Sequence, residues 1–207
     1  MKNLLFITLA ITICFITACK KENPTSITGH VLEFDTNKPI EGALLYLYGG
    51  DSDGNFSNPG AYLEKIDSTI SAADGSYHFD LDAAPYPILD LIAHKELYFS
   101  EDVLQGIYRT RANQIDIVLD PHAWLKLHVK NDMPVDEYDK ISVWGSWGGG
   151  GDLYELGEEV NELITIKLRG NDSPTVRWNV TKNDIKTSYN QDIYVPAHDT
   201  TTFEIFY

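Results

Sequence analysis

The sequence predicts an all-β protein built as two β-sandwiches in tandem. Short runs of β-branched, aromatic and aliphatic residues recur from about residue 25 to the end of the chain. In many of these runs apolar residues alternate with polar ones, which is the period of a half-buried strand. Gly, Asn, Asp and Pro separate the runs, and helical spacing of apolar residues is almost absent. Many short strands divided by frequent turns are typical of β-sandwiches.

The amino terminus resembles the signal of a bacterial lipoprotein. Lys2 precedes a nearly unbroken apolar run, Leu4–Ile16, and Thr-Ala-Cys follows with Cys19 last. We therefore expect residues 1–18 to be a cleaved signal peptide and Cys19 to be lipidated. From Leu4 to Cys19 there are 16 residues, fewer than the ~20 that a membrane-spanning helix needs. A transmembrane anchor and an ordinary cleaved signal with an incidental Cys are the alternatives.

The lipid on Cys19 is expected to attach the protein to the cell envelope. Two or more acyl chains hold a protein on a membrane much more firmly than one chain does. Residues 19–25 then form a lipidated tether, in which Lys20-Lys-Glu22 resembles the outer-leaflet signal of Bacteroidetes lipoproteins. This resemblance implies an outer-membrane lipoprotein displayed on the cell surface, and an inward-facing position stays open. The membrane is thus the first expected partner.

Composition and charge exclude two classes of site. Cys14 would leave with the signal peptide and Cys19 would carry lipid, so no thiol would remain for a disulfide or a Cys-based metal site. The formal net charge is −15, from 16 basic and 31 acidic residues. Because such a surface repels phosphate groups, we expect no nucleic-acid partner.

The first sandwich is predicted to occupy residues 26–121. Its expected strands are Ser26–Phe34, Ala43–Tyr48, Tyr62–Ser71, Ser76–Leu81, Pro87–His94 and Asn113–Asp120, with one helical turn at Ser100–Gly106. The stretch Ile27–Leu47 is interpreted as a hairpin-like unit of strand, turn and strand. Asp74-Gly75 is expected to form a second hairpin that directs Tyr77 and Phe79 inward.

Five segments of this region resemble the carboxypeptidase regulatory-like domain. They are Ile27-Thr-Gly-His-Val31, Lys38-Pro-Ile-Glu-Gly-Ala43, Asp74-Gly-Ser-Tyr-His-Phe79, Leu91-Ile-Ala-His-Lys-Glu-Leu-Tyr98 and Ile115-Asp-Ile-Val-Leu119. The resemblance implies a transthyretin-like sandwich that accompanies or presents a neighbouring domain and is not an enzyme. The insertion Gly49–Gly60 and Ala73 depart from the family pattern. The last residues are Glu204-Ile-Phe-Tyr207 and not Tyr-Arg-Gly-Ser, so the activity of the hydroxyisourate hydrolases, which share this fold, is not carried over.

The second sandwich is predicted at residues 122–207. Its expected strands are Trp124–Val129, Tyr138–Trp144, Asn161–Leu168, Thr175–Val180, Asp192–Val195 and Thr201–Tyr207. Turn-forming residues separate them at Asn131-Asp132, Gly170–Pro174 and Pro196–Asp199. The length and the number of strands suit an immunoglobulin-like sandwich.

The stretch Trp144–Tyr154 is a candidate ligand-binding loop. Trp147 and Tyr154 flank a run of glycines, and exposed aromatic rings stack on the faces of sugars. This pattern suggests a glycan site at Trp147 and Tyr154. In the alternative interpretation Trp144 belongs to the core, Trp147 folds back and the glycines form the tip of a hairpin.

Part of a calcium-binding motif precedes the Trp144–Tyr154 loop in the chain. Asp51, Asp53 and Asn55 have the acid spacing of the first half of a calcium loop. Phe56 stands where that motif needs Gly and Tyr62 where it needs Glu, and a solvated turn is the alternative. The six histidines contain no pair with the spacing of a metal motif, so we expect no other metal and no cofactor.

These observations predict a non-enzymatic envelope lipoprotein that acts as an accessory binding or presentation module. Its partner would be an extracellular glycan or an envelope protein. The alternative is a structural or assembly subunit whose exposed strand edges pair with a strand of a protein partner. A third hypothesis is an unrecognised hydrolase. In the sequence, however, no two carboxylates stand out as an acid and a base.

Overall fold

The protein is all-β, as the sequence predicts. The computed structural model describes residues 24–50, 63–82, 86–103, 107–147 and 152–207. The strands in these ranges are β1 (Pro24–Glu33), β2 (Leu44–Gly50), β3 (Leu63–Ile70), β4 (Ser76–Asp82), β5 (Ile88–His94), β6 (Glu101–Val103), β7 (Ala112–Gln114), β8 (Ile117–Leu119), β9 (His122–Lys130), β10 (Lys140–Gly145), β11 (Leu153–Leu156), β12 (Asn161–Arg169), β13 (Thr175–Lys182), β14 (Ile185–Asp192) and β15 (Thr200–Phe206). Among these described residues there is no helix of the length and apolarity needed to span a membrane.

The first sandwich is built around β1 and β2, which are the inner strands of two facing sheets. β1 runs antiparallel to β4 and parallel to both β7 and β8. β2 runs antiparallel to β3 and β5, and β6 lies beyond β5. The facing surfaces enclose an apolar cluster that includes Val31, Leu45, Phe79, Leu91 and Ile117.

The prediction that Ile27–Leu47 forms a hairpin-like unit is wrong. β1 and β2 lie in different sheets, and the turn between them carries the chain across the sandwich. The Asp74-Gly75 turn likewise leads from β3 in one sheet to β4 in the other, so it is not a hairpin either. Alternation specifies which face of a strand is buried but not which strand lies beside it. Tyr77 and Phe79 do point inward, as expected.

The predicted strand Asn113–Asp120 is divided into β7 and β8. Between them, Ile115 N donates to Thr28 O at 2.8 Å, and Asp116 Oδ1 accepts from His30 N at 2.8 Å. The backbone of Ile115 approaches Gly29 so closely that a Cβ on Gly29 would overlap the Ile115 carbonyl group. Glycine at this position therefore permits the close approach that the junction of β7 and β8 requires.

The predicted helical turn at Ser100–Gly106 is also wrong. Residues Glu101–Val103 form β6 and pair antiparallel with β5, while residues 104–106 lie outside the described ranges. A Ser cap and a Gly stop are local signals, and pairing with a neighbouring strand overrides such weak preferences.

The second sandwich consists of a four-stranded and a three-stranded sheet. The larger sheet has the order β11-β10-β13-β14 and the smaller one the order β12-β9-β15. β9 and β15 run parallel, and the other neighbouring pairs are antiparallel. Leu125, Leu127, Val129, Ile141 and Val176 have no exposed surface and belong to the core between the sheets.

Two strands of this sandwich were not predicted from the sequence. β11 lies in the stretch that was interpreted as a glycine-rich loop, and β14 occupies Ile185–Asp192, which precedes most of the predicted strand Asp192–Val195. That predicted strand is therefore wrong in position. Every residue of β14 is exposed, so its composition does not show the apolar enrichment that marks a buried strand.

The two sandwiches touch at several polar and aromatic contacts. Glu33 is nearly buried and accepts hydrogen bonds from the Thr36 and Tyr98 hydroxyls, both at 2.8 Å. His198 of the second sandwich lies 3.6 Å from its carboxylate. Burial alone would raise the pKa of Glu33, but these hydrogen bonds and the neighbouring His198 and Lys38 lower it overall. The junction is thus held by a carboxylate that stays ionised.

Replacing Gly29 tests the close approach of β1 to the chain between β7 and β8. We expect Gly29→Ala to lower the free energy of unfolding by about 3 kcal/mol, because its methyl group forces two backbone segments apart. Denaturant unfolding measures the change. Val118→Ala at a half-exposed position of β8 is the control, with an expected change within about 0.5 kcal/mol. Equal stability of the two variants would contradict this account of Gly29.

Candidate interaction surface

One side of the second sandwich is open. β14 and β15 are the outer strands there, since β14 pairs with β13, β15 pairs with β9, and no other described strand pairs with either. The larger sheet has one strand more than the smaller sheet within the described residues. β14 therefore extends past the core, and no described strand packs beneath it.

The face of β14 that points inward carries Ile185, Thr187, Tyr189 and Gln191, of which Ile185 and Tyr189 are the large apolar side chains. Ile185, Thr187 and Tyr189 stand opposite Lys182, Val180 and Trp178 of β13, respectively. Val180 is buried in the core and Trp178 packs against it, so their partners on β14 point to the same side. Ile185 is nevertheless 70% exposed and Tyr189 46% exposed. At Ile185 and Tyr189 this face of β14 therefore presents large apolar side chains that no described strand covers.

A groove of about 660 Å³ lies between β14 and β15. It is lined by Met133, Val135, Trp178, Val180, Lys182, Ile185, Thr187, Tyr189, Glu204, Ile205, Phe206 and Tyr207. Trp178 stacks on Tyr189 at 5.4 Å between ring centroids and meets the edge of Phe203 at 5.7 Å. Met133 and Val135 are 73% and 47% exposed and extend the apolar surface beyond the strands.

A buried ionic network holds the loop that supplies Met133 and Val135. Asp139 has no exposed surface, and its Oδ2 accepts from Asn131 Nδ2 and from Val135 N, both at 2.9 Å. Lys182 Nζ lies 3.5 Å from the same oxygen and donates to Asn131 Oδ1 at 2.9 Å and to the Met133 carbonyl. Together these bonds attach the loop at residues 131–139 to β13.

Asp139 stays ionised despite its burial. Burial alone would raise the pKa of Asp139, but hydrogen bonds from Asn131 and Val135 and the charge of Lys182 lower it below the ordinary 3.8. Because the folded-state pKa is the lower one, the charged network stabilises the fold above about pH 4. That contribution is lost as the pH falls through the pKa of folded Asp139.

The rim of the groove carries one exposed carboxylate. Glu204, on the outward face of β15, lies 3.8 Å from His128 Nδ1, and its side chain is 57% exposed. Phe206 contacts the edge of the same His128 ring at 5.3 Å. The Lys182 ammonium is already occupied by the Asp139 network, so Glu204 is the exposed charged side chain among the residues that line the groove.

Trp147 and Tyr154 are not brought together on one face. Trp147 and Leu153 pack against the core cluster, and a Cβ on Gly145 would overlap the Trp147 ring. Since successive residues of a strand point to opposite faces, Tyr154 points away from Leu153, and it is 68% exposed. The two rings therefore do not form one continuous aromatic platform.

Trp147 instead lines a smaller cleft of about 370 Å³ at the junction of the sandwiches. The other lining residues are Phe99, Asp120, Ser146, Lys167, Leu168, Arg169, Asp172 and Pro174. Arg169 donates to Asp172 at 2.9 Å and lies 3.7 Å from Asp120. The Lys167 ammonium lies 4.9 Å from the centre of the Phe99 ring. The cleft thus combines two aromatic rings with two cations and two carboxylates.

The remaining residues singled out by the sequence fall outside the structural description. Cys19 and the calcium motif of Asp51, Asp53 and Asn55 lie outside the described ranges, so lipidation and calcium binding remain predictions. In the described part of the chain, no group of three or more His, Cys, Asp or Glu side chains is arranged to hold a metal ion.

The groove was not predicted from the sequence because β14 was not predicted. The signal was present in the alternation of Ile185, Thr187 and Tyr189 with Lys186 and Ser188. Only two of these five side chains are apolar, and the run follows Asn183-Asp184, a turn in which both residues have positive φ. Such a turn between two alternating runs indicates a hairpin, and that indication was sufficient to place β14 beside β13.

No protein-family model and no curated protein sequence matches this chain. Among solved structures it is similar to GBS52, the minor pilin of Streptococcus agalactiae, with 13% identity and a TM-score of 0.35 over 88% of this chain and 94% of that one. It is similar to the shaft pilin SpaA of Lactobacillus rhamnosus GG with 11% identity and a TM-score of 0.35, over 88% and 96% of the two chains.

The Bacillus anthracis TIE protein is a further similar structure. The identity is 8% and the TM-score 0.38, and the match covers 89% of this chain but only 34% of that one. This chain therefore spans about a third of the length of the TIE protein.

Neutralising Asp139 tests the network that holds the groove loop. We expect Asp139→Asn to lower the free energy of unfolding at neutral pH by about 1.5–3 kcal/mol, because Lys182 loses a buried charged partner. As the pH falls from about 4 through the lower pKa of folded Asp139, the parent loses this contribution, so the stability difference between the two proteins shrinks. Urea unfolding of both proteins from pH 7 to pH 3 measures the difference. A difference that is constant with pH would contradict the ionised state of Asp139.

Proposed function

We propose that this protein is a non-enzymatic lipoprotein of the cell envelope that binds another envelope protein through the open side of its second sandwich. The observation that carries the proposal is the groove between β14 and β15, where no described strand covers the inward-facing Ile185 and Tyr189 or the outer edges of the two strands. Exposed apolar surfaces at strand edges are typical of protein–protein contact sites.

The amino-terminal half fits the role of a spacer in this proposal. Lipid on Cys19 attaches the chain to the membrane, and residues 19–25 form the tether. The first sandwich, with its resemblance to the carboxypeptidase regulatory-like domain, then separates the membrane from the second sandwich. The outer membrane is the proposed location, with the sandwich boundary near Pro121. Contacts such as that between Glu33 and His198 support a joint that presents the groove in a defined direction.

The lining of the groove favours a protein partner over a small polar substrate. Seven of its twelve lining residues are Met, Val, Ile, Phe or Trp. Its ionic groups Lys182 and Glu204 already face Asp139 and His128. We therefore assign no catalysis to this surface.

Site-directed photo-cross-linking tests the proposed surface in the bacterium that makes the protein. A photoreactive phenylalanine at Ile185 or Phe206 is expected to give one discrete protein adduct in the membrane fraction. The controls are Ile70 and Leu163, which are exposed apolar positions away from the groove. A Cys19→Ser variant is expected to leave the membrane fraction and to lose the adduct.

Two results would overturn the proposal. The first is the same set of adducts from groove and control positions, since it would indicate contact without a defined surface. The second is the absence of any adduct from Ile185 and Phe206 in membranes that contain the lipidated protein.

A glycan is the second candidate ligand, favoured by the cleft that contains Trp147. Sugar rings present apolar C–H faces and hydroxyl groups, which suit a small cleft with aromatic walls and a few polar side chains. Phe99 is 38% exposed at this cleft, and Lys167 and Asp120 stand beside it. Tyr154, on a different face, would form a separate site.

A polysaccharide screen with two single variants separates these sites. We expect Phe99→Ala to weaken binding about tenfold, the effect of losing about 1.4 kcal/mol of stacking and burial, while Tyr154→Ala binds as the parent does. Microarray binding followed by calorimetry measures the affinities, and thermal unfolding confirms that both variants fold. Loss of binding in Tyr154→Ala alone would place the site on the outer face of β11. No binding by the parent would contradict the glycan candidate.

A further inference from the structure

We propose that the groove holds an extended strand from a protein partner, which pairs with the free edge of β15 beneath β14 and completes the smaller sheet. This inference rests on the proposed function and specifies how the partner binds. It also specifies the chemistry of the partner segment: apolar residues at every second position, and basic residues among those between them.

The backbone groups along β15 point alternately to β9 and to the free edge of the strand. Asp199 O accepts from Trp124 N at 3.0 Å, and Tyr207 N donates to Lys130 O at 3.1 Å. In a parallel pair, residues two apart bond to the same neighbour, so the odd-numbered residues from 199 to 207 face β9. Thr202, Glu204 and Phe206 therefore direct their N–H and C=O groups to the free edge. No described strand lies beside that edge.

The groove has room for an added strand. A strand added to β15 would lie about 4.8 Å from it in the plane of the smaller sheet. Because β14 extends past β15 in the facing sheet, the added strand would sit directly beneath β14. A groove of about 660 Å³ is present there. The added strand would give the sandwich four strands in each sheet.

The free edges of β14 and β15 differ in the surface that an added strand would cover. A strand added to the outer edge of β14 would widen the overhanging sheet and would leave its inward face uncovered. A strand added to β15 covers Ile185 and Tyr189 and meets Met133 and Val135 at one end of the groove. Since burial of apolar surface is the main driving force of association, the edge of β15 is the favoured one.

The surroundings of the groove specify which side chains the added strand carries. Residues of the added strand that face the groove meet apolar side chains, so every second residue is expected to be apolar. Residues on the other face come beside Glu204, whose carboxylate is exposed. The chain carries a net charge of −15, so two copies repel one another, and a basic segment of a different protein is the complementary occupant.

A labelled peptide provides the direct test. The probe is a fluorescein-tagged nine-residue peptide, Lys-Val-Thr-Val-Lys-Val-Thr-Val-Lys, and its counterpart has Glu in place of each Lys. Anisotropy is measured with the purified full-length protein in detergent. We expect saturable binding of the basic peptide and binding at least about tenfold weaker for the acidic one.

Proline substitutions identify the edge that is used. Thr202→Pro removes an N–H group on the free edge of β15, where proline is tolerated because that group faces solvent. We expect this variant to bind the basic peptide about tenfold more weakly, since a ladder hydrogen bond is lost. Ile193 N donates to Pro174 O, so in the antiparallel ladder Ser188 faces the free edge of β14. Ser188→Pro is thus the matched control, with an expected change of less than about twofold.

Peptides with N-methyl groups keep the test independent of any variant's stability. One peptide is methylated at its odd residues and another at its even residues, which removes the N–H donors on one edge of the peptide strand at a time. We expect one of the two to lose binding to the parent protein and the other to retain it. Equal binding of both would overturn strand addition, as would an effect of Ser188→Pro in place of Thr202→Pro.

The remaining outcomes also decide the question. Failure of the basic peptide to bind at about 1 mM overturns the inference, and equal binding of the acidic peptide overturns the basic character of the partner segment. Self-association that Thr202→Pro abolishes would make a second copy the occupant and overturn the proposed one. Cross-links from Ile185 and Phe206 together with negative peptide results would leave partner binding intact and reject strand addition. Absence of those cross-links would reject the proposed function itself.

Discussion

The second sandwich depends on the alternation of buried and exposed residues along β9. Its inward residues Ala123, Leu125, Leu127 and Val129 have no exposed surface, and the strand lies between β12 and β15. A shift of one residue in β9 would turn all four side chains to solvent, so its register is strongly determined. Pairing with β9 in turn sets β15, burying Ile205 and Tyr207 and leaving Thr202 and Glu204 outward.

The unequal size of the two sheets gives this core one uncovered side. Natural edge strands are commonly protected by charges, and Lys186 and Glu204 supply one each here. The inward face of β14 has no such protection at Ile185 or Tyr189. The adjoining loop is held by Asp139 and its partners, and a charge without exposed surface is costly to desolvate.

Strands were predictable wherever one of their faces is buried. β1, β4, β9, β12 and β13 all begin and end within a few residues of the predicted bounds, because alternation of apolar and polar residues reflects burial on one side. β14 was missed because only two of its first five side chains are apolar, which leaves its alternation weak, and β11 because glycines precede it. Of the candidate site, six lining residues fell within predicted strands, namely Trp178, Val180 and Glu204–Tyr207, but nothing local indicated that β15 lies at an edge.

The sequence by itself determined the all-β class, the division into two sandwiches and the inward direction of residues such as Tyr77 and Phe79. Those features follow from the local period of each strand. Only the tertiary structure decided that β1 pairs with β4 and not with β2, and that Trp147 and Leu153 turn inward while Tyr154 turns outward. The groove was likewise decided only by the tertiary structure. It results from the number of strands in two facing sheets, which depends on pairing between residues far apart in the chain and leaves no local pattern.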